Sequence, residues 1–298
     1  MMDLALLQSL VCRPALVKDA ADVVELTRTI WDGEDYVPDA WEAWLADPQG
    51  LLAVAEYGKH VVGLVKLSHL SSKEWWLEGL RVDPQFEGRK FASRLYDYIL
   101  GYWSRNCGGT VRLVTASFRL SVQHLCQRTG FNKIAEFSFF EAPSLTEPAV
   151  SFTPLLPEET QAALEWVNSS PSIQFSHGLI DLGWHYALPS LDFLLDAAKQ
   201  GLAWWWRERE GVLLVNEDAE DEEPSLSISL LATSTESIAE CLVDFRRLAA
   251  ARGASRARWT APLDPRIEPS IRLAGFTRQW RDAIYLYEKE GPNLIASA

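Results

Sequence analysis

The feature that most constrains this fold is an order of elements that occurs twice. Each half of the chain ends strand–helix–strand–helix–Gly-Phe–strand, with Gly130-Phe131 and Gly275-Phe276 as the two marks. A repeated order points to two copies of one supersecondary arrangement. In the first half, residue spacing predicts strands at Glu74–Val82, Val111–Ala116 and Lys133–Glu141, and helices over Gly88–Trp103 and Ser121–Arg128. In the second, it predicts strands at Leu226–Leu230, Ala257–Ala261 and Ile284–Tyr287. A helix face there carries Ile238, Leu242, Phe245 and Leu248. Upstream come a strand from Arg13, a helix from Asp19 to Ile30 and a loop from Trp31 to Pro38. A short helix at Ala40–Ala46 and a hairpin over 51–67 follow. Strands alternating with helices define an α/β chain. Its 298 residues suit two domains: 1–142, a linker at 143–150 bounded by Pro143 and Pro148, and 151–298.

Composition narrows the function. At 48% hydrophobic and 23% charged residues, the chain is globular. No run approaches the roughly 18 apolar residues of a bilayer span, so no membrane partner is expected. Met1–Val11 lacks a basic start and is not expected to direct export. Cys12, Cys107, Cys126 and Cys241 form no CxxC pair. That spacing argues against a metal site or a disulfide framework and for a reducing, cytoplasmic setting. The net charge is −13, with 15 Lys+Arg against 19 Asp+Glu through residue 150 and 13 against 22 beyond it. Neither half offers the basic face that nucleic acid requires. An acidic surface attracts a cationic small molecule such as an amine or polyamine. Homodimerisation is left open.

The chemistry concentrates in Leu77-Glu78-Gly79-Leu80-Arg81-Val82-Asp83-Pro84-Gln85-Phe86-Glu87-Gly88-Arg89-Lys90-Phe91-Ala92. A strand ends at Asp-Pro, a basic glycine-containing turn follows, and a long amphipathic helix begins. Exposed amides and the dipole at a helix start make an anion site. A diphosphate there would receive N–H bonds from Gly88, Arg89, Lys90, Phe91 and Ala92, with Arg89 or Lys90 as nearby cations.

This segment resembles the phosphate loop of the Gcn5-related N-acetyltransferase (GNAT) family, Gln/Arg-x-x-Gly-x-Gly/Ala. Those three positions fall here on Glu87, Lys90 and Ala92. Glu87 brings negative charge, and Lys90 replaces the central glycine. Arg13-Pro14-Ala15, Val62-Gly63-Leu64 and Leu125–Phe131 stand where the family places comparable residues, so the likeness covers 13–141. Trp31–Pro38, Glu78–Val82, Ser170–Gln174 and Ala198–Leu202 are similar to the two-domain histidine N-acetyltransferase subgroup.

The resemblance implies tandem acyl-CoA N-acyltransferase folds, each a mixed, twisted, mostly antiparallel sheet flanked by helices. Strands four and five of the first copy should splay apart. The second copy is degenerate, because Thr233-Ser234-Thr235-Glu236-Ser237 contains no glycine where a phosphate loop would lie. The implied activity is acetyl-CoA-dependent N-acetylation of a small-molecule amine, such as an amino acid, by direct ternary-complex transfer, without metal. Backbone groups of Leu80, Arg81 and Val82 would hold the coenzyme arm, and Arg119 would reach it. Glu78 stands where the family often has its base; its competing role is an ion pair with Arg81. Cys126 replaces a tyrosine that protonates the departing thiolate in many relatives. Trp31, Asp35 and Tyr36 lie in the loop that borders the family's acceptor site; Asp35 alternatively caps that loop as an Asx turn. Glu87, Lys90 and Cys126 also motivate an alternative, a non-catalytic CoA-binding or regulatory protein.

Overall fold

A computed structural model describes residues 9–28, 30–218 and 223–292. Most of the segment weighed for export, 1–8, lies outside them, as does the centre of the acidic loop at 219–222. The chain forms two compact units: 1–113, 121–132 and 288–298 in the first, and 114–120 with 133–287 in the second. Residues 144–149, between the expected domains, carry no helix or strand.

The first unit contains β1 (Val11–Pro14), α1 (Ala20–Thr27), α2 (Val37–Ala46), β2 (Leu51–Tyr57), β3 (His60–Ser71), β4 (Glu74–Val82), α3 (Phe91–Asn106), most of β5 (Thr110–Ala116) and most of α4 (Leu120–Arg128). Its strands lie in the order β1-β2-β3-β4-β5 and are antiparallel except for β4 and β5. One sheet face is covered by Val23 and Leu26 of α1 and Val37 and Trp41 of α2, packed on Leu52, Val54 and Leu64. A side chain at Gly63 would instead touch Leu95 of α3, so α3 covers the other face.

The second unit contains β6 (Asn132–Pro143, from Lys133), β7 (Phe152–Pro154), α5 (Thr160–Ser169), β8 (Ile180–Asp181), β9 (Tyr186–Ala187), α6 (Leu191–Lys199), β10 (Ala203–Trp206), β11 (Gly211–Asp218), β12 (Ser225–Thr233), α7 (Ile238–Ala251), β13 (Arg256–Pro262), α8 (Glu268–Leu273), β14 (Thr277–Arg278) and most of β15 (Ile284–Glu290). Its strands run β15-β6-β13-β12-β11-β10-β7, with β12 and β13 parallel. The α/β architecture expected for each half is present. Trp204, Trp205 and Trp206 alternate faces as a strand requires, yet all three are buried. Both faces of β10 are covered: Trp204 and Trp206 join the core under α7, and Trp205 joins the core with α5 and α6.

Boundaries shifted for local reasons. Asp19 does not cap α1; its carboxylate is held by Arg13 at 2.7 and 2.8 Å and by the amide of Leu16. The long helix starts at Phe91 rather than Gly88, because Gly88 (φ 73°) and Lys90 (φ 63°) are left-handed. A left-handed residue cannot belong to a right-handed helix.

Residues 288–291 are tied into the first unit by an ion pair and a backbone hydrogen bond. Arg112 of β5 is buried between Glu74 (2.6 Å) and Glu288 (2.7 Å), and the amide of Gly291 donates to the carbonyl of Gly109 at 2.7 Å. Removing the central cation leaves two carboxylates facing each other with little water. Arg112→Ala is expected to destabilise the protein by about 3–5 kcal/mol, read from the denaturant midpoint; a loss under about 1 kcal/mol would show that the triad is not an anchor.

Candidate active site

The turn between β4 and α3 presents donors without acceptors. Asp83 caps its first part, accepting the amide of Gln85 at 2.8 Å, and Arg89 N donates to Phe86 O at 3.2 Å. Arg94 N makes the first bond of α3, to Lys90 O. Among the described residues no acceptor meets the amides of Gly88, Lys90, Phe91, Ala92 or Ser93. A Cβ at Gly88 would find open space for 4 Å. Glu87, Arg89 and Lys90 are exposed, and neither Glu87 nor Lys90 occupies these donors. Phe86 stacks on Phe91 at 5.1 Å, Tyr57 packs edge-on against Phe86, and Arg89 lies over the Phe86 ring. The turn is thus braced from beneath while its amides stay open. The residues fit a diphosphate: open main-chain donors, a helix dipole and two exposed cations.

Next to the turn, β4 has an open edge. Its parallel ladder with β5 covers only Glu74–Trp76 against Thr110–Arg112, although β4 continues to Val82. The expected splay is therefore present, and Leu77–Val82 has no strand on that side. On the other side, Lys66 opposes Glu78 and Leu64 opposes Arg81, so two residues of β4 (Gly79 and Leu80) face one of β3. This is a β-bulge, with Gly79 at φ 66°. A Cβ at Gly79 would come within 2.7 Å of the Trp44 ring, so close approach as well as backbone angle demands glycine.

The bulge is where the remaining side chains meet. Glu78 accepts a 2.5 Å hydrogen bond from Ser68 Oγ on β3. Arg81 reaches a carboxylate from another part of the chain. It makes a two-pronged, buried ion pair with Asp35, at 2.7 and 3.2 Å, and lies 5.5 Å from the centre of the Tyr36 ring. Tyr36 packs edge-on against Trp44 and is 41% exposed. Burial pushes the Tyr36 phenol above its ordinary range, and the charges of Glu78 and Asp35 push the same way, outweighing the opposite pull of Arg81. The phenol is therefore protonated at neutral pH. Asp35 also accepts the amide of Val37 at 3.1 Å, the Asx turn that starts α2. With one oxygen on that turn and both on Arg81, its carboxylate holds the loop in place rather than presenting a free charge to an amine.

Cys126 is fully buried on α4, 3.9 Å from the hydroxyl of Tyr96, and burial pushes its thiol up to about 11. Cys126 shares the buried face of α4 with Leu125. Arg119 is exposed and belongs to the second unit. Trp31 falls in the turn Ile30–Gly33, but its side chain lies outside the described residues. Sequence reasoning missed Ser68 and the bulge. An isolated glycine inside a strand, Gly79, was the signal for the bulge; nothing in the local sequence marks Ser68.

The second unit closes the equivalent edge itself. Here β12 and β13 pair only as far as Ile228 and Trp259. Beyond that point Ser172 Oγ donates to Leu231 O (2.9 Å) and accepts from Thr233 N (2.8 Å), while Ser170 Oγ donates to Thr233 O. In the turn before α7, Ser234 accepts from Ser237 N through both its Oγ and its carbonyl.

Residues 20–131, which carry the open turn and the bulge, match the model of the acetyltransferase (GNAT) family. This part of the chain is a member of that family. A histidine N-acetyltransferase from Xenopus tropicalis is 27% identical over 149 residues, 48% of this chain and 45% of that protein, so the match spans less than half of that relative. In fold, the chain is similar to a GCN5-related N-acetyltransferase from Sphaerobacter thermophilus, with a TM-score of 0.64 at 14% identity over 96% of this chain and 98% of that one. It is also similar to a tandem GNAT protein from the clavulanic acid biosynthesis pathway, with a TM-score of 0.59 at 12% identity over 95% and 99%.

Two glycines separate backbone strain from contact. Gly88→Ala pays only for a left-handed alanine, about 1–2 kcal/mol. Gly79→Ala pays this and must also displace Trp44, so its thermal midpoint should fall further. Equal midpoints would contradict the close approach described for the bulge.

Proposed function

We propose that the first unit is an acetyl-CoA-dependent N-acetyltransferase that acts on a small-molecule amine by direct transfer within a ternary complex. One observation carries this reading: the five acceptor-free amides of the turn lie at the end of a strand whose neighbouring edge is unpaired. Bound acetyl-CoA would supply the activated acetyl thioester. The amides of Gly88, Lys90, Phe91, Ala92 and Ser93 would hold its diphosphate, with the Arg89 and Lys90 side chains screening charge, and the edge at Leu80–Val82 would bond its extended arm as an added strand does. Main-chain donors beside the bulge would polarise the thioester carbonyl.

Glu78 is the proposed proton acceptor. An ammonium must lose a proton before its nitrogen can attack, and a carboxylate within reach, directly or through water, serves that step. Ser68 fixes the carboxylate's orientation. The protonated phenol of Tyr36, placed beside it by Arg81 and Asp35, orients the amine and offers a hydrogen bond. This arrangement, rather than Cys126, has access to solvent. An amino acid is the proposed acceptor class, supported by the relative's histidine and by the acidic charge of the chain. Four free cysteines support a cytoplasmic setting. No described helix is long and apolar enough to cross a membrane.

Calorimetric titration with acetyl-CoA should give saturable binding that free CoA competes away. With a panel of amino acids and other amines, thiol release should report turnover. Glu78→Gln is expected to keep acetyl-CoA affinity and lose about 10²–10⁴-fold in kcat/KM. Binding without turnover on any amine would favour a non-catalytic CoA-binding protein, and absence of binding would remove the proposal altogether.

A further inference from the structure

The second unit holds a cavity lined wholly by its own residues. Its volume is about 660 Å³, the size of a small-molecule pocket. It sits over the face of β11, β12, β13 and β6 that carries Asn216, Ser227, Thr260 and Phe139, opposite the core beneath α7 and α8. The β8–β9 hairpin contributes Asp181 and Trp184 to it.

Three features of the wall point to one ligand chemistry. The first is aromatic. Phe139 lies 5.4 Å from Trp184 and 5.6 Å from Trp280, so three rings form a continuous wall. The second is Asp181. Its carboxylate accepts the amides of Gly183 (2.9 Å) and Trp184 (3.2 Å) and the hydroxyl of Tyr186 (3.4 Å), all neutral donors. No described Lys or Arg forms an ion pair with it, and burial pushes its carboxyl up to about 6. The other charges at the cavity are already matched: Glu141 pairs with Arg258 at 2.9 Å, and Glu217 pairs with Arg252. A deeply set carboxylate without a cation is costly and is normally compensated. The third is strain. Trp184 has φ 67°, a rare angle for a bulky residue, held by the bond from its amide to Asp181. The result is an indole 58% exposed at the cavity. Strained backbone of this kind is retained where it positions a working side chain.

We propose that this cavity binds a small organic cation, an ammonium group carried on an apolar or aromatic body. Asp181 supplies the negative charge, and the ligand's ammonium brings the cationic partner that no described Lys or Arg gives it. The rings of Phe139, Trp184 and Trp280 receive the ammonium's methyl or methylene groups and the body of the ligand, as aromatic walls do for cations. The site needs no coenzyme, and it stands apart from the acetyl-transfer reading of the first unit.

Calorimetric titration of the full chain at pH 8 with benzyltrimethylammonium tests this directly, because that cation has no nitrogen to acetylate. Saturable binding is expected, with uncharged benzyl alcohol at least tenfold weaker. Asp181→Asn should weaken the cation at least tenfold. Trp184→Ala removes an exposed indole, leaves the fold intact, and should weaken it at least fivefold; it decides the matter if the Asp181 variant does not fold. Acetyl-CoA titrations of both variants should match the unchanged protein, which separates this site from the first unit's. No saturable binding of the cation, equal affinity for the alcohol, or unchanged affinity in the folded variants would overturn the proposal.

Discussion

The buried ion pair between Asp35 and Arg81 is the interaction on which the site of the first unit depends. It joins the loop before α2 to the last turn of β4, next to the bulge. Two charges sealed from water are worth keeping only when their geometry is good and their remaining bonds are met. Here both prongs of the guanidinium are used, and the spare capacity of the carboxylate goes to the amide of Val37. The pair fixes Tyr36, whose ring rests against Arg81 and Trp44. Trp44 in turn lies where any side chain at Gly79 would have to go. Glu78, Tyr36 and the open edge of β4 are therefore held by one connected set of contacts.

The two units use one sheet plan to different ends. In each, a parallel pair of strands parts after a few residues, and the described residues place no strand beside the rest of the longer one. Such an edge is a liability unless something covers it. In the second unit Ser170 and Ser172 cover it with hydroxyl bonds to β12. In the first, the described residues place no strand there. The strand edge covered by Ser170 and Ser172 belongs to the half whose sequence has no glycine between Thr233 and Ser237.

Much of this was legible in the sequence, and the exceptions have causes. Strand–turn–helix order follows from periodicity and from the Asp83-Pro84 break, which are local signals, whereas the splay and the placement of Glu78 follow from the family resemblance. The start of α3 was misplaced by three residues because left-handed backbone at Lys90 cannot be read from a lysine. Asp35 looked like a substrate contact because its partner, Arg81, lies 46 residues away and no local pattern links them. Cys126 was aligned with a catalytic position, but one residue on a short helix can turn inward when its neighbours, Leu125 and Phe131, carry the helix onto the core. The aromatic cavity was invisible for a similar reason: Phe139, Trp184 and Trp280 are brought together only by the fold.

Amide hydrogen exchange tests the central account most directly, since donors without acceptors exchange quickly and slow when a ligand occupies them. On addition of acetyl-CoA, exchange should slow at Gly88–Ser93 and at Leu80–Val82, with α7 and its preceding turn unchanged. Unaltered exchange at Gly88–Ser93 at saturating acetyl-CoA would contradict it.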